Sequence, residues 1–227
     1  MPGLRAALVR VPRAWGTGGD AMADGARVEL PYPEAAVVEC DTLDEQTDSV
    51  AAALPPLPIV VGGCCCAHVG AVRGLARRVG RLALVYIDAH GDLNTPETSP
   101  SGNRWGMPFR MVLDAGDVCP EDAALLGARN LDPPEVEFLA ASGIDDSLDR
   151  ALAGVDATYV ALDLDVLDPS EVDVLIPEPD GLTPEQLETL LLEISARTTI
   201  AGIGVTGFLP SERNAALAVR MLAAAGL

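Results

Sequence analysis

The sequence has few aromatic residues, 4% of 227. A core built from it must therefore rest mainly on Ala, Val, Leu and Ile. No apolar run is long enough to span a bilayer. The N-terminal stretch MPGLRAALVRVPRAW is broken by Arg5, Arg10 and Arg13, so it lacks the uninterrupted apolar segment of an export signal. Basic residues are also in short supply. There are 15 Lys and Arg against 34 Asp and Glu, a formal net charge of −19. No basic stripe exists to bind nucleic acid, and anionic membranes are disfavoured for the same reason. The acid excess suits a solvated surface, or steering of a cationic ligand. The five cysteines (Cys40, Cys64, Cys65, Cys66 and Cys119) are odd in number, three are adjacent, and none forms a CxxC pair. That is neither a disulfide framework nor a zinc ribbon, and it suits a reducing cytoplasm. Internal repeats, low-complexity tracts and linkers are absent as well, so we expect a single domain over 1–227.

What is present is 49% hydrophobic residues in an alternating pattern of short apolar runs and helical periodicities. Runs at 4–11, 35–39, 57–61, 82–87, 122–127, 157–163 and 199–205 read as strands. Helices are expected over 67–79, 133–142, from Pro184 to about Ser195 behind a Thr183 cap, and from Ser211 to Ala225. Residues 91–108, rich in Gly, Pro, Ser, Thr and Asn, read as a long loop of the kind that usually carries function. Strands alternating with helices imply an α/β fold with a mostly parallel sheet covered on both faces. In such sheets ligands bind beyond the carboxyl ends of the strands.

Three of the runs end in reactive residues: Gly62-Gly63-Cys64-Cys65-Cys66, Asp88-Ala89-His90-Gly91-Asp92 and Asp163-Leu164-Asp165. Alternate residues of an extended segment point the same way, so Asp88, His90 and Asp92 aim into one space and Asp163 and Asp165 join them. DxD alone reads as well as solvated loop carboxylates; two such motifs, each directly after a buried run, point to convergence. Four converging carboxylates repel one another unless protons or cations intervene. Oxygen-rich ligands with an imidazole suit Mn²⁺, with Fe²⁺, Co²⁺, Ni²⁺ or Zn²⁺ as alternatives.

The motifs themselves resemble a known family. DAHGDLNTPETSPSGNRWGMP (Asp88 to Pro108) resembles the arginase/agmatinase (ureohydrolase) segment DAHxDxNTPxTxxSGNxHGxP. ALDLDVLDPS (Ala161 to Ser170), PEPDGLT (Pro177 to Thr183) and GARNLDPPE (Gly127 to Glu135) resemble SxDxDxxDPS, PEPGGLT and GxRDxDPxE of the same family. The resemblance covers roughly residues 55 to 225. It implies a three-layer α/β/α fold and a binuclear Mn²⁺ centre. It implies hydrolysis of a guanidino, amidino or amide-like C–N bond of a small molecule by a metal-bridging hydroxide, in a homo-oligomer. Carried over, Asp88 and Asp163 bridge the metals, Cys65 and Asp92 serve the first, and His90 and Asp165 serve the second. Asp92 also holds the hydroxide and is the catalytic residue. Ser101, Asn103 and Asp132 match positions that hold an amino-acid substrate.

The sequence departs from the family in the 171–176 loop after DPS, which is more apolar and slightly shorter, in a shorter N-terminal region, and at three places in the site. Cys65 stands on the position of a metal-binding His, with His68 one turn on as a substitute ligand or a supporting residue; Cys64 and Cys66 read as packing. Trp105 replaces a His thought to shuttle protons. Gly207 replaces a Glu that grips the guanidinium. These departures predict a substrate other than L-arginine. The alternative is a catalytically impaired relative that binds metal or serves assembly.

Overall fold

The computed structural model describes residues 5–227. Among them seven strands form one parallel sheet, in the order β2-β1-β3-β7-β6-β4-β5. The strands are β1 (Ala7–Val11), β2 (Glu34–Val37), β3 (Pro58–Gly62), β4 (Leu82–Ile87), β5 (Ala123–Leu126), β6 (Ala157–Asp163) and β7 (Ile200–Thr206). All seven expected strands are present, within a few residues at their ends. The first was expected from residue 4, which lies outside the described residues. The four central strands β3, β7, β6 and β4 are almost wholly buried. That is why they read as continuous apolar runs rather than as alternating ones.

Alternation along the strands divides the core in two. Ile59, Val61, Val85, Ile87, Val160, Leu162, Ile203 and Val205 face one layer of helices, α7 (Pro184–Arg197) and α8 (Glu212–Ala224). Val60, Leu84, Tyr86, Tyr159 and Ala161 face the other, with α2 (Leu43–Ala53), α3 (Cys66–Ala76) and α4 (Pro108–Asp114). This is the three-layer α/β/α arrangement expected. The helix α5 (Pro133–Ser142) has the bounds read from the sequence and ends at Gly143, in the left-handed region with φ 73°. Thr183 and Ser211 cap α7 and α8, their side chains accepting from the backbone N–H groups of Gln186 and Asn214.

Four helices were not anticipated: α1 (Asp20–Gly25), α2, α4 and α6 (Leu148–Ala151). In α2 only a narrow buried strip, including Val50 and Ala51, marks the inner face, and the helix is fixed at its start by a Thr42–Glu45 capping box. The long loop after β4 holds a single 3-10 turn at Arg104–Gly106, and α4 begins where it ends, at Pro108.

Candidate metal centre

The carboxyl ends of β3, β7, β6 and β4 lie side by side, and each delivers chemistry to the same spot. From β3 the chain passes through Gly62-Gly63 and enters helix α3. Cys65 already has helical geometry, φ −57° and ψ −17°. The three cysteines therefore diverge by helical rotation, not by the alternation of extended chain. The Cys65 sulfur lies 2.8 Å from Asp163 Oδ2 and 3.8 Å from Asp88 Oδ2. Cys64 Sγ instead sits by the Arg13 carbonyl, 3.7 Å away, and Cys66 is fully buried beside Met22.

β4 delivers Asp88, His90 and Asp92. Asp88 Oδ1 accepts from the His90 N–H at 2.7 Å, and Asp163 Oδ1 accepts from the Asp165 N–H at 3.0 Å, so each aspartate folds the turn that carries its partner. The second pair does not ride on an extended segment. Leu164–Val166 is a 3-10 turn, and convergence comes from that turn. His90 Nδ1 lies 3.1 Å from Asp165 Oδ2 and 3.3 Å from Asp88 Oδ1, while Nε2 lies 3.4 Å from Glu178 Oε1. Asp92 has a left-handed backbone, φ 51°, and its Oδ2 accepts the Tyr86 hydroxyl at 2.5 Å.

Two ligand trios result, Cys65–Asp88–Asp163 and Asp88–His90–Asp165, each with donor atoms within 4.8 Å of one another. Asp88 belongs to both. Asp92 lines the same cavity but joins neither trio. The donor set fits two adjacent divalent cations, with oxygen predominating and one thiol in the first site. Electrostatics point the same way. Burial, with Asp165 and Asp92 nearby, pushes Asp88 well above the usual carboxylate range. Burial raises Asp92 to about 8, and burial with Asp165 raises Asp163 to about 7. Burial, then Asp163, drives the Cys65 thiol up. Burial opposes the His90 imidazolium, but bonds to Asp165 and Asp88 outweigh it and push His90 up to about 12. A cluster of acids that hold their protons is one that a cation would relieve.

The cavity above the cluster measures about 240 Å³. Ser101 and Asp132 line it. Asn103 does not: its Oδ1 accepts from the Thr17 N–H at 3.0 Å, which turns it away. Asp132 takes the Asn94 amide at 2.8 Å. Met22, Trp105 and Ile176 form an apolar wall. At Gly207 φ is 80°, and a Cβ would overlap the Asp163 carboxylate. His68 is not in the cluster; its ring lies behind it, against Tyr159 and Thr206.

Sequence reading missed Tyr86 and Thr206, buried hydroxyls inside apolar runs with no signal of their own. Glu178, in the PEPDGLT turn, has its carboxylate 3.4 Å from His90 Nε2, a contact that depends on the fold and not on spacing in the sequence.

The arginase family's sequence model matches residues 4–226. Arginase from Bacillus subtilis (strain 168) is 35% identical over 143 residues, half of this chain and 48% of that protein. Arginase from Bacillus caldovelox is 33% identical over 173 residues, 63% of this chain and 58% of the other. The sequence match thus spans about half the length of these curated relatives. Structural likeness runs further. The crystal structure of arginase from Bacillus subtilis superposes with a TM-score of 0.84 over 97% of this chain and 98% of that one, at 22% identity. Formimidoylglutamase from Bacillus subtilis subsp. subtilis str. 168 gives 0.80 over 99% and 87%, at 16%. With the family's sequence model covering nearly the whole chain and its fold reproduced, this protein belongs to the arginase family.

Proposed function

We propose that the chain is a metal-dependent hydrolase of a non-peptide C–N bond in a small molecule, with Mn²⁺ as its metal and a substrate less basic than L-arginine. The observation that carries the reading is the pair of ligand trios sharing Asp88 at the floor of a cavity. Cys65, Asp88 and Asp163 would hold one cation and Asp88, His90 and Asp165 the other. Bound there, the two cations supply Lewis acidity and acidify water near neutral pH. The residues of the chain do the rest. Tyr86 occupies Asp92 Oδ2, which leaves Oδ1 to accept a proton from the attacking water. Glu178 holds the His90 ring through Nε2, as partners of metal-binding histidines commonly do. Ser101 and Asp132 stand at the cavity wall to orient the distal end of the substrate.

The substrate limit comes from what faces the floor. A guanidinium beside the metals needs a carboxylate partner, and such fork-to-carboxylate pairs are among the stronger charge-assisted contacts. Gly207 offers none, and loss of a buried charged partner costs on the order of 2–5 kcal/mol in binding. Trp105 has one donor and no accessible pKa, so it cannot relay protons. Within the same reading the chain works as a homo-oligomer in a reducing cytoplasm, a setting its five free cysteines suit.

The test is metal analysis of purified protein followed by assays for urea or ammonia release. We expect two equivalents of Mn²⁺ per chain and hydrolysis of a small amide, ureido or modified-guanidine compound. L-arginine and agmatine should turn over far below about 10 s⁻¹. A protein that takes up no metal would replace this reading by that of a relative without chemistry. Arginine turnover near the ordinary rate would remove the substrate limit.

A further inference from the structure

Behind the candidate metal centre lies a row of buried polar groups that leads to Asp163. Tyr159, His68 and Thr206 are at most 1% exposed. The Tyr159 hydroxyl is 2.9 Å from His68 Nδ1, His68 Nε2 is 3.2 Å from Thr206 Oγ1, and Thr206 Oγ1 donates to Asp163 Oδ2 at 3.0 Å. Room for this row is written into two glycines. A Cβ at Gly204 would overlap both the Tyr159 hydroxyl and the His68 ring, and a Cβ at Gly62 would press on the Thr206 methyl.

The donors can be assigned by counting protons. Thr206 has one hydroxyl hydrogen, which it gives to Asp163 Oδ2 at 3.0 Å, while the Leu162 carbonyl, at 3.4 Å, can only accept. Its oxygen is then the acceptor for His68, so the His68 proton is on Nε2. Nδ1 is left to accept from Tyr159. All donors point toward Asp163. Asp163 also takes the Asp165 N–H on Oδ1 and the Cys65 thiol on Oδ2, at 2.8 Å, so the Cys65 sulfur, 3.2 Å from Thr206 Oγ1, has spent its own hydrogen on Asp163.

We propose that Tyr159, His68 and Thr206 form a one-way hydrogen-bond chain that fixes the Asp163 carboxylate, and that the Thr206 hydroxyl is a positioning residue for the first metal site. The role in metal binding rests on the functional reading above; the direction of the chain does not. Partners of metal ligands commonly set affinity by about 10–100-fold.

Two substitutions separate hydroxyl from packing. Thr206→Val keeps the shape and removes the hydroxyl; Thr206→Ser keeps the hydroxyl and removes the methyl. By isothermal titration with Mn²⁺, Thr206→Val should bind about tenfold or more weakly than the parent, while Thr206→Ser stays near it. Equal binding by the two, or weaker binding by Thr206→Ser, overturns the positioning role. Nitrogen-15 NMR of the metal-free protein at mildly alkaline pH decides the chain itself. The expected result is a neutral His68 with its proton on Nε2; a proton on Nδ1 overturns the assignment. A parent protein that binds no Mn²⁺ ends the metal reading and the positioning role together, and the His68 tautomer still decides the chain.

Discussion

Cys65 is the residue on which the proposed first metal site turns. Its sulfur is placed where a ligand should be, within 2.8 Å of Asp163 and 3.8 Å of Asp88. Yet burial and three nearby carboxylates keep the thiol protonated, and a thiolate is a soft ligand that suits Mn²⁺ poorly. A neutral imidazole needs no deprotonation and is a better match. Cys65→His should therefore raise Mn²⁺ occupancy, measured by elemental analysis after dialysis; unchanged or lower occupancy would remove Cys65 from the ligand set. The carboxylates around it give a second prediction at this scale. The folded chain holds protons on Asp163 up to about 7 and on Asp92 up to about 8, whereas an ordinary aspartate releases its proton at 3.8. A raised acid pKa means that the folded state binds more protons than the unfolded state in that window, so metal-free stability falls as pH rises through it. His90 has the same sign. Its contribution is complete below 6.5 and is lost as pH climbs toward about 12. Bound Mn²⁺ would offset the repulsion that appears on deprotonation. The gain in melting temperature on adding Mn²⁺ should grow from about pH 5 to about pH 8, and Asp163→Ala should abolish it. A gain that shrinks across this range would show that these carboxylates do not hold the ion.

At the scale of elements, the turn leaving β7 limits what can be grafted onto the site. Restoring a carboxylate by Gly207→Glu looks like a route to arginine hydrolysis. The backbone there is left-handed, at φ 80°, and a Cβ overlaps the Asp163 carboxylate. The substitution should displace Asp163 and reduce the Mn²⁺-dependent rise in melting temperature, without creating an arginase. Efficient urea release from L-arginine by the variant, with metal retained, would refute this. The same elements show what the sequence could reveal. Buried parallel strands read plainly because both faces are apolar, and motifs placed directly at their ends exposed Asp88, His90, Asp163 and Asp165 as a convergent set. α2 escaped because its buried strip is narrow and its composition polar, although Thr42 and Glu45 carried a capping signal. Tyr86, Tyr159 and Thr206 escaped for the opposite reason. A hydroxyl on an inward-facing strand residue looks like ordinary strand composition until its partner across the sheet is known. Asn103, expected to hold the substrate, does not line the cavity because its side chain is engaged by Thr17, 86 residues away in sequence.

For the whole molecule the governing quantity is charge. With 34 acidic residues and 15 basic ones, acidic side chains outnumber basic ones by 19. Exposed pairs such as Arg27–Glu39 and Arg220–Glu185 are worth about 0–1 kcal/mol each and weaken in salt. The unpaired excess repels itself, and that repulsion weakens in salt too. Because the net charge is −19 and each exposed pair is worth so little, screening of repulsion should win. Raising NaCl from low ionic strength to about 1 M shortens the screening length to about 3 Å and should raise the melting temperature of the metal-free protein. A net charge of −19 concentrates cations around the molecule, so the same salt should weaken observed Mn²⁺ binding and slow its association. One cause thus moves two measurements in opposite directions. Differential scanning calorimetry and titration calorimetry across a salt series would test it, with sucrose in place of NaCl as the uncharged control. If melting temperature and Mn²⁺ affinity fall together, paired surface charges dominate and the acid excess is well solvated. If both rise, the salt acts through burial of apolar surface rather than through charge.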